Sequence, residues 1–159
     1  MSPVVRANWL LLTLALAMGF VIYMHGRQQS GSYTPITELD NNQVQQIIIQ
    51  RQGEVIARFE RRHQGWTDLA TDKPINDQNR AARLLHIAQL PSLHHFPASG
   101  HELEAFGLQP PRYQLQLDSV EIRFGNIDPT TGLRYVQVGK QIHLISDGYT
   151  HYLSPGQAL

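Results

Sequence analysis

From Trp9 to Met24 every position is apolar, glycine or threonine, and no such run recurs further along the chain. With Val4 to Asn8 it approaches the ~20 residues that cross a hydrocarbon core. Trp9 and Tyr23 stand near its ends, where amphipathic rings prefer the interface. The pattern predicts a short tail over 1–7, a transmembrane anchor over 8–25 and a polar tether over 26–36, in which "RQQSGSYT" supplies the flexible composition. A cleaved signal peptide is the rival reading. Ala15-Leu16-Ala17 has the small-x-small form, but cleavage there would leave the apolar Met18 to Met24 at the new N-terminus, inside the apolar core rather than after it. Arg6 on one side nearly balances Arg27 and His25 on the other, so flanking charge barely orients the anchor.

Beyond the tether the pattern changes to alternation with a period of two. "VQQIIIQR" (Val44–Arg51) and "EVIARFER" (Glu54–Arg61) read as strands joined by Gln52-Gly53, with Val55, Ala57 and Phe59 directed to a core. "GWTDL" adds a short third strand. "NDQNRAARLLHIAQL" switches to helical spacing, with Ala81, Leu84, Leu85 and Ala88 on one stripe, Asn76 or Asp77 as cap and Pro91 as stop. "HELEAFG" offers one or two further helical turns ended by Gly107. "RYQLQL", "VEIRF", "RYVQV" and "QIHLI" then alternate again, and Ser146–Leu153 fits a short last helix. One wet and one buried face per strand suits an antiparallel sheet with helices on one side. The expected class is α+β: an N-terminal transmembrane helix, then a soluble domain over 37–154 of mainly antiparallel β-sheet with one main helix and short additional helices, and a tail over 155–159. A loose echo of a β-β-α unit runs through it.

Composition narrows function mostly by exclusion. Among 159 residues, 13 Lys and Arg offset 13 Asp and Glu, so no single-sign field would attract nucleic acid. The absence of cysteine removes disulfides, thiolate metal sites and cysteine nucleophiles.

The order of the motifs resembles a known family. "FGLQPP" (Phe106–Pro111) before alternating strands, "FG" followed by "DPTTGLRYVQV" and a closing "IHLIS", together with the earlier "VQQIIIQR", "GW" and "NRAARLLHIAQL", is similar to the bacterial domain-of-unknown-function family numbered 4340. The resemblance covers about Leu39 to Leu153. It implies a membrane-anchored envelope protein, and some relatives are linked to gliding-type ABC transporter systems. It carries no catalytic residue with it.

Three groups invite chemistry. The "DPTTG" loop sets Asp128, Thr130 and Thr131 near Arg134, but its residue types are those of a turn: proline presets φ, Asp caps, and glycine supplies φ > 0. His86, His94, His95 and His101 gather in "HIAQLPSLHHFPASGH", His86 on the helix and the rest on a proline-broken loop. Imidazoles are common ligands of zinc and copper, yet this spacing does not enforce convergence. Arg51, Arg58, Arg61 and Arg62, with His63, form a basic group, diluted by Glu54 and Glu60, that could meet lipid headgroups or an acidic partner. Ser92, Ser99 and Ser119 lack surroundings that would activate a hydroxyl. The expectation is a non-enzymatic, single-pass accessory or scaffold protein of the bacterial inner membrane. Its domain would face the periplasm, use no cofactor, and dock a protein partner through that arginine group or an exposed sheet edge at Val44–Arg51. The alternative is metal binding or delivery through the His86–His101 region.

Overall fold

Residues 34–63, 65–75 and 77–154 are described by a computed structural model, and the apolar run and most of the tether lie outside them. Among the described residues no helix is long and apolar enough to cross a membrane. The chain forms β1 (Gln46–Arg51), β2 (Glu54–Arg62), β3 (Gly65–Asp68), β4 (Lys73–Pro74), helix α1 (Gln78–Ile87) and β5 (His94–Pro97). It continues with β6 (Tyr113–Leu117), β7 (Val120–Ile127), β8 (Arg134–Val138), β9 (Gln141–Ile145) and a 3₁₀ turn at Thr150–Leu153. Among the described residues all strands join one antiparallel sheet of nine, in the order β4-β3-β2-β1-β6-β7-β8-β9-β5.

Apart from β5, which extends one edge, that order is symmetric about the β1–β6 pair. Two four-stranded meanders, β1–β4 and β6–β9, meet there back to back, and each is followed by a helical segment. The echo in the sequence therefore corresponds to four strands and a helix, a longer unit than β-β-α. Tight turns drive both meanders. Gln52 and Gly53 both take positive φ (51° and 86°), the backbone twist that two-residue hairpins require.

Helix α1 carries the chain from β4 at one edge to β5 at the other. Nine strands at ~4.8 Å spacing make a sheet about 38 Å wide, so the intervening segment must run across one face. Asp77 caps α1, accepting a hydrogen bond from the Asn79 N–H at 2.9 Å. The buried stripe Ala81, Leu84, Leu85 and Ala88 packs with Ile47, Ile49, Phe59, Leu115, Leu117, Ile122, Phe124 and Val136. These strand residues stand opposite one another in the ladder and so share a face. Burying a side chain such as Leu84 there contributes about 1.5–3 kcal/mol. Thr37 ties the end of the tether to this helix: its hydroxyl donates to the Ala88 carbonyl at 2.9 Å.

Four local expectations change. Val55 is 49% exposed, because the β1–β2 register shifts between Ile49 and Gln50. Ile49 faces Ala57 and Gln50 faces Val55, so Ile56 is the extra residue of a β-bulge, and alternation reverses there. Ile56 packs against the core in its place. Second, "HELEAFG" makes successive turns instead of an α-helix, closed by Gly107 at φ 67° and by the Leu108 N–H donating to Leu103 O at 2.9 Å. Third, His94–Pro97 is a strand where a loop was expected. Finally, β1 is no edge: it lies between β2 and β6, so its backbone groups are already paired. The true edges are β4, of two residues, and β5, of four, and each ends in proline. Short, proline-bearing edges are poor templates for strand addition.

Candidate functional site

The face of the sheet opposite α1 has two parts. At the β8-β9-β5 end, residues 98–111 fold over it. Phe106 packs edge-on to Tyr135 at 4.8 Å between ring centres and lies 5.8 Å from Phe96, while His101 stands edge-on to Phe96 at 5.1 Å. Leu108 is fully buried beneath this flap, against Gly125. The Asn126 N–H fixes the flap by donating to Phe106 O at 2.7 Å.

The other part presents polar side chains. Cross-strand pairing builds a row of Gln50, Gln114, Arg123 and Gln137, and beside it a second row of Arg58, Ile48, Gln116 and Glu121. Arg123 pairs with Glu121 two residues away on β7, and their side chains remain 36% and 38% exposed. Glu121, Arg123, Gln137 and Gly139 line an open depression of about 190 Å³. Gln137 is 9% exposed, and its amide donates to Gly139 O at 3.1 Å. Its Oε1 is buried without a hydrogen-bond partner among the described residues, the kind of unsatisfied acceptor that costs ~1–3 kcal/mol. A donor brought in by a partner, or Arg123 released from Glu121, would relieve it. The sequence signal for this region was the plain alternation of "RYQLQL", "VEIRF" and "RYVQV"; which face stays open is settled by where α1 and the flap pack.

The expected arginine group does not form one surface. Arg61 lies on the core side, where its guanidinium donates to Val44 O at 2.8 Å and Asn41 O at 2.9 Å and stacks 4.8 Å over Trp66. Arg51 lies 6.0 Å from the Tyr113 ring centre. Arg62 pairs with Glu60 and Asp72, and these hydrogen bonds raise its already high pKa further. Arg58 stands on the open face, across from Ile48.

The expected histidine group separates too. His94 and His95 are neighbours on a strand, so their side chains point to opposite faces. His101 belongs to the aromatic flap, and His86, on α1, lies 5.9 Å from Tyr149. Among the described residues no group of three or more His, Cys, Asp or Glu side chains is placed to hold a metal ion.

What the tertiary fold does bring together is Ser92 and His143, 51 positions apart. Both are buried, at 8% exposure each, with His143 Nδ1 2.9 Å from Ser92 Oγ. The Ser92 hydroxyl donates to His94 O at 3.0 Å, and the His143 tautomer that completes this pattern has its proton on Nδ1 and donates to Oγ. That is the reverse of a serine activated by a basic imidazole. Burial, with His95 nearby, lowers the His143 pKa. No sequence motif could have paired two residues so distant.

The Asp128 loop is self-contained. Asp128 accepts hydrogen bonds from the Thr130 N–H at 3.2 Å and from the Thr131 hydroxyl, and these bonds lower its pKa. Gly132 closes the turn at φ 71°, its N–H donating to Asp128 O at 2.8 Å. Arg134 leaves the loop for the Asp147 carboxylate and Gly125 O. The loop's polar groups thus build a turn. Compared with models of known families, with curated proteins and with solved structures, the chain matches none.

Proposed function

We propose that this is a non-enzymatic, single-pass accessory protein of a bacterial envelope assembly, anchored through residues 8–25, with its domain on the periplasmic side. It works by protein–protein contact through the open polar face of the sheet. The observation that carries the reading is that face itself: Gln114, Gln116, Glu121, Arg123 and Gln137 stand in ordered cross-strand rows, around a depression that holds an unsatisfied amide oxygen. Such a surface offers hydrogen-bond partners fixed in register by the backbone. Membrane attachment adds high local concentration, so modest contacts suffice. The apolar run at Trp9–Met24 and the resemblance of the motif order to family 4340 support the envelope setting.

The test is crosslinked co-purification of the full-length protein from native membranes. One stoichiometric protein should be recovered with the wild type and with Arg62→Ala, and lost with Arg123→Asp or Gln116→Arg. Recovery of the same protein with both open-face variants would refute the docking surface.

A further inference from the structure

His143 has a second ring nitrogen, and the fold sets it up as a ligand. With the Ser92 hydroxyl donating to His94 O, the tautomer of His143 that completes the pattern carries its proton on Nδ1. Nε2 therefore presents its lone pair, and it makes no hydrogen bond among the described residues. A metal-ligating histidine is commonly held in this way, its other ring N–H donating to an oxygen that fixes tautomer and orientation. Directly across the β5–β9 ladder stands His95. Paired residues share a face, so both rings project on the same side of the sheet. Their centres are 5.9 Å apart with the ring planes 34° from parallel.

We propose that His95 and His143 form a two-imidazole site for a divalent late-transition-metal ion, with water completing its coordination. Nitrogen–metal bonds of about 2.0–2.1 Å leave two ring centres roughly 5–6.5 Å apart, and the observed separation lies in that range. His95 is exposed and free to close the remaining distance, while His143 is held by its neighbours. Among such ions the general affinity order places Cu²⁺ first, then Zn²⁺ or Ni²⁺. The ion would clamp β5, the four-residue edge strand, onto β9. This site shares only His95 with the histidines that lie close in sequence, and it stands apart from the open face.

The experiment is titration of untagged, full-length protein in detergent with Cu²⁺ and Zn²⁺ by calorimetry, with electron paramagnetic resonance of the copper form. The proposal expects one ion per chain, a copper signal with two nitrogen ligands, and a Kd raised at least tenfold in His95→Ala. His86→Ala, His94→Ala and His101→Ala should stay within about twofold of the wild type. Ser92→Ala should weaken binding roughly tenfold or more while circular dichroism stays unchanged, as expected for loss of an outer-shell partner. Unchanged binding in His95→Ala, or loss of the ion in His94→Ala or His101→Ala, overturns it. His95 is exposed, so its alanine variant remains interpretable even where substitution of buried His143 prevents folding.

Discussion

Replacing Arg61 with alanine separates an arginine that holds the fold from one that waits for a partner. The guanidinium donates to the Val44 and Asn41 carbonyls at 2.8 and 2.9 Å, bracing the segment that leads into β1. Hydrogen bonds from a charged donor contribute about 1.5–3 kcal/mol each, and stacking over Trp66 adds roughly 0.5–1 kcal/mol. Two effects reduce that sum. The side chain is only half-buried, so water re-solvates the freed carbonyls in part, and releasing a long side chain regains up to ~2 kcal/mol of rotamer entropy. The expected net loss is about 2–3 kcal/mol, which in a domain of this size lowers Tm by roughly 8–12 °C. Urea and thermal unfolding followed by circular dichroism would measure it. Arg58→Ala is the control: exposed and on the opposite face, it should change stability by less than ~0.5 kcal/mol. Arg61→Lys should recover about half the loss, since an ammonium cannot reproduce the planar two-point contact. A stable Arg61→Ala that loses a membrane partner would refute the structural reading.

Other substitutions probe the flap, the strand junction and the acid response. In Gly125→Ala the added Cβ would collide with Phe106 O, a backbone atom that can yield only if the flap lifts, costing about 2–4 kcal/mol and raising hydrogen exchange over 98–111. Asp118 accepts from the Gln45 and Gln46 N–H groups at 3.1 and 2.8 Å from a backbone at φ 50°, so Asp118→Ala loses both bonds and adds strain, for about 2 kcal/mol in chemical denaturation. The Arg134 hydrogen bond and charge hold the Asp147 carboxyl below its ordinary 3.8. With a folded pKa below the unfolded one, that pair's stabilisation is complete above about pH 4–5 and is lost as pH falls through the folded value. Asp147→Asn should therefore flatten the acid limb of Tm against pH; an unchanged limb would show that other carboxylates govern it.

The open polar face and the histidine pair place two separate demands on one sheet. The proposed docking surface would use side chains over its centre, where the β1–β6 pairing makes the sheet continuous. The proposed metal site would use an edge, where a short strand has least support of its own. An ion bound there would stabilise the native state by linkage, so added Zn²⁺ should raise the Tm of the wild type but leave His95→Ala unchanged.

Much of this protein was legible in its sequence because much of it is local. Alternation along "RYQLQL", "RYVQV" and "QIHLI" matches strands at Tyr113–Leu117, Arg134–Val138 and Gln141–Ile145, since period two is a property of the strand itself. The helix and its buried stripe followed from spacing, the cap was narrowed to Asn76 or Asp77 before the fold chose Asp77, and the Asp128 loop followed from the φ demands of proline and glycine. Reading failed where the answer depended on residues elsewhere. Val55 turned outward because a bulge is fixed by pairing between two strands, and no single strand encodes it. "HHFP" became a strand only because β9 offered a free edge after α1 had carried the chain across the sheet. Whether Val44–Arg51 lies at an edge or the centre is likewise a fact about its neighbours. The same holds for chemistry. Four histidines close in sequence point in different directions, since adjacent strand residues alternate, while Ser92, His95 and His143 meet through the β5–β9 ladder. Local sequence sets the period of each element; only packing decides which faces and which distant residues come to share a place.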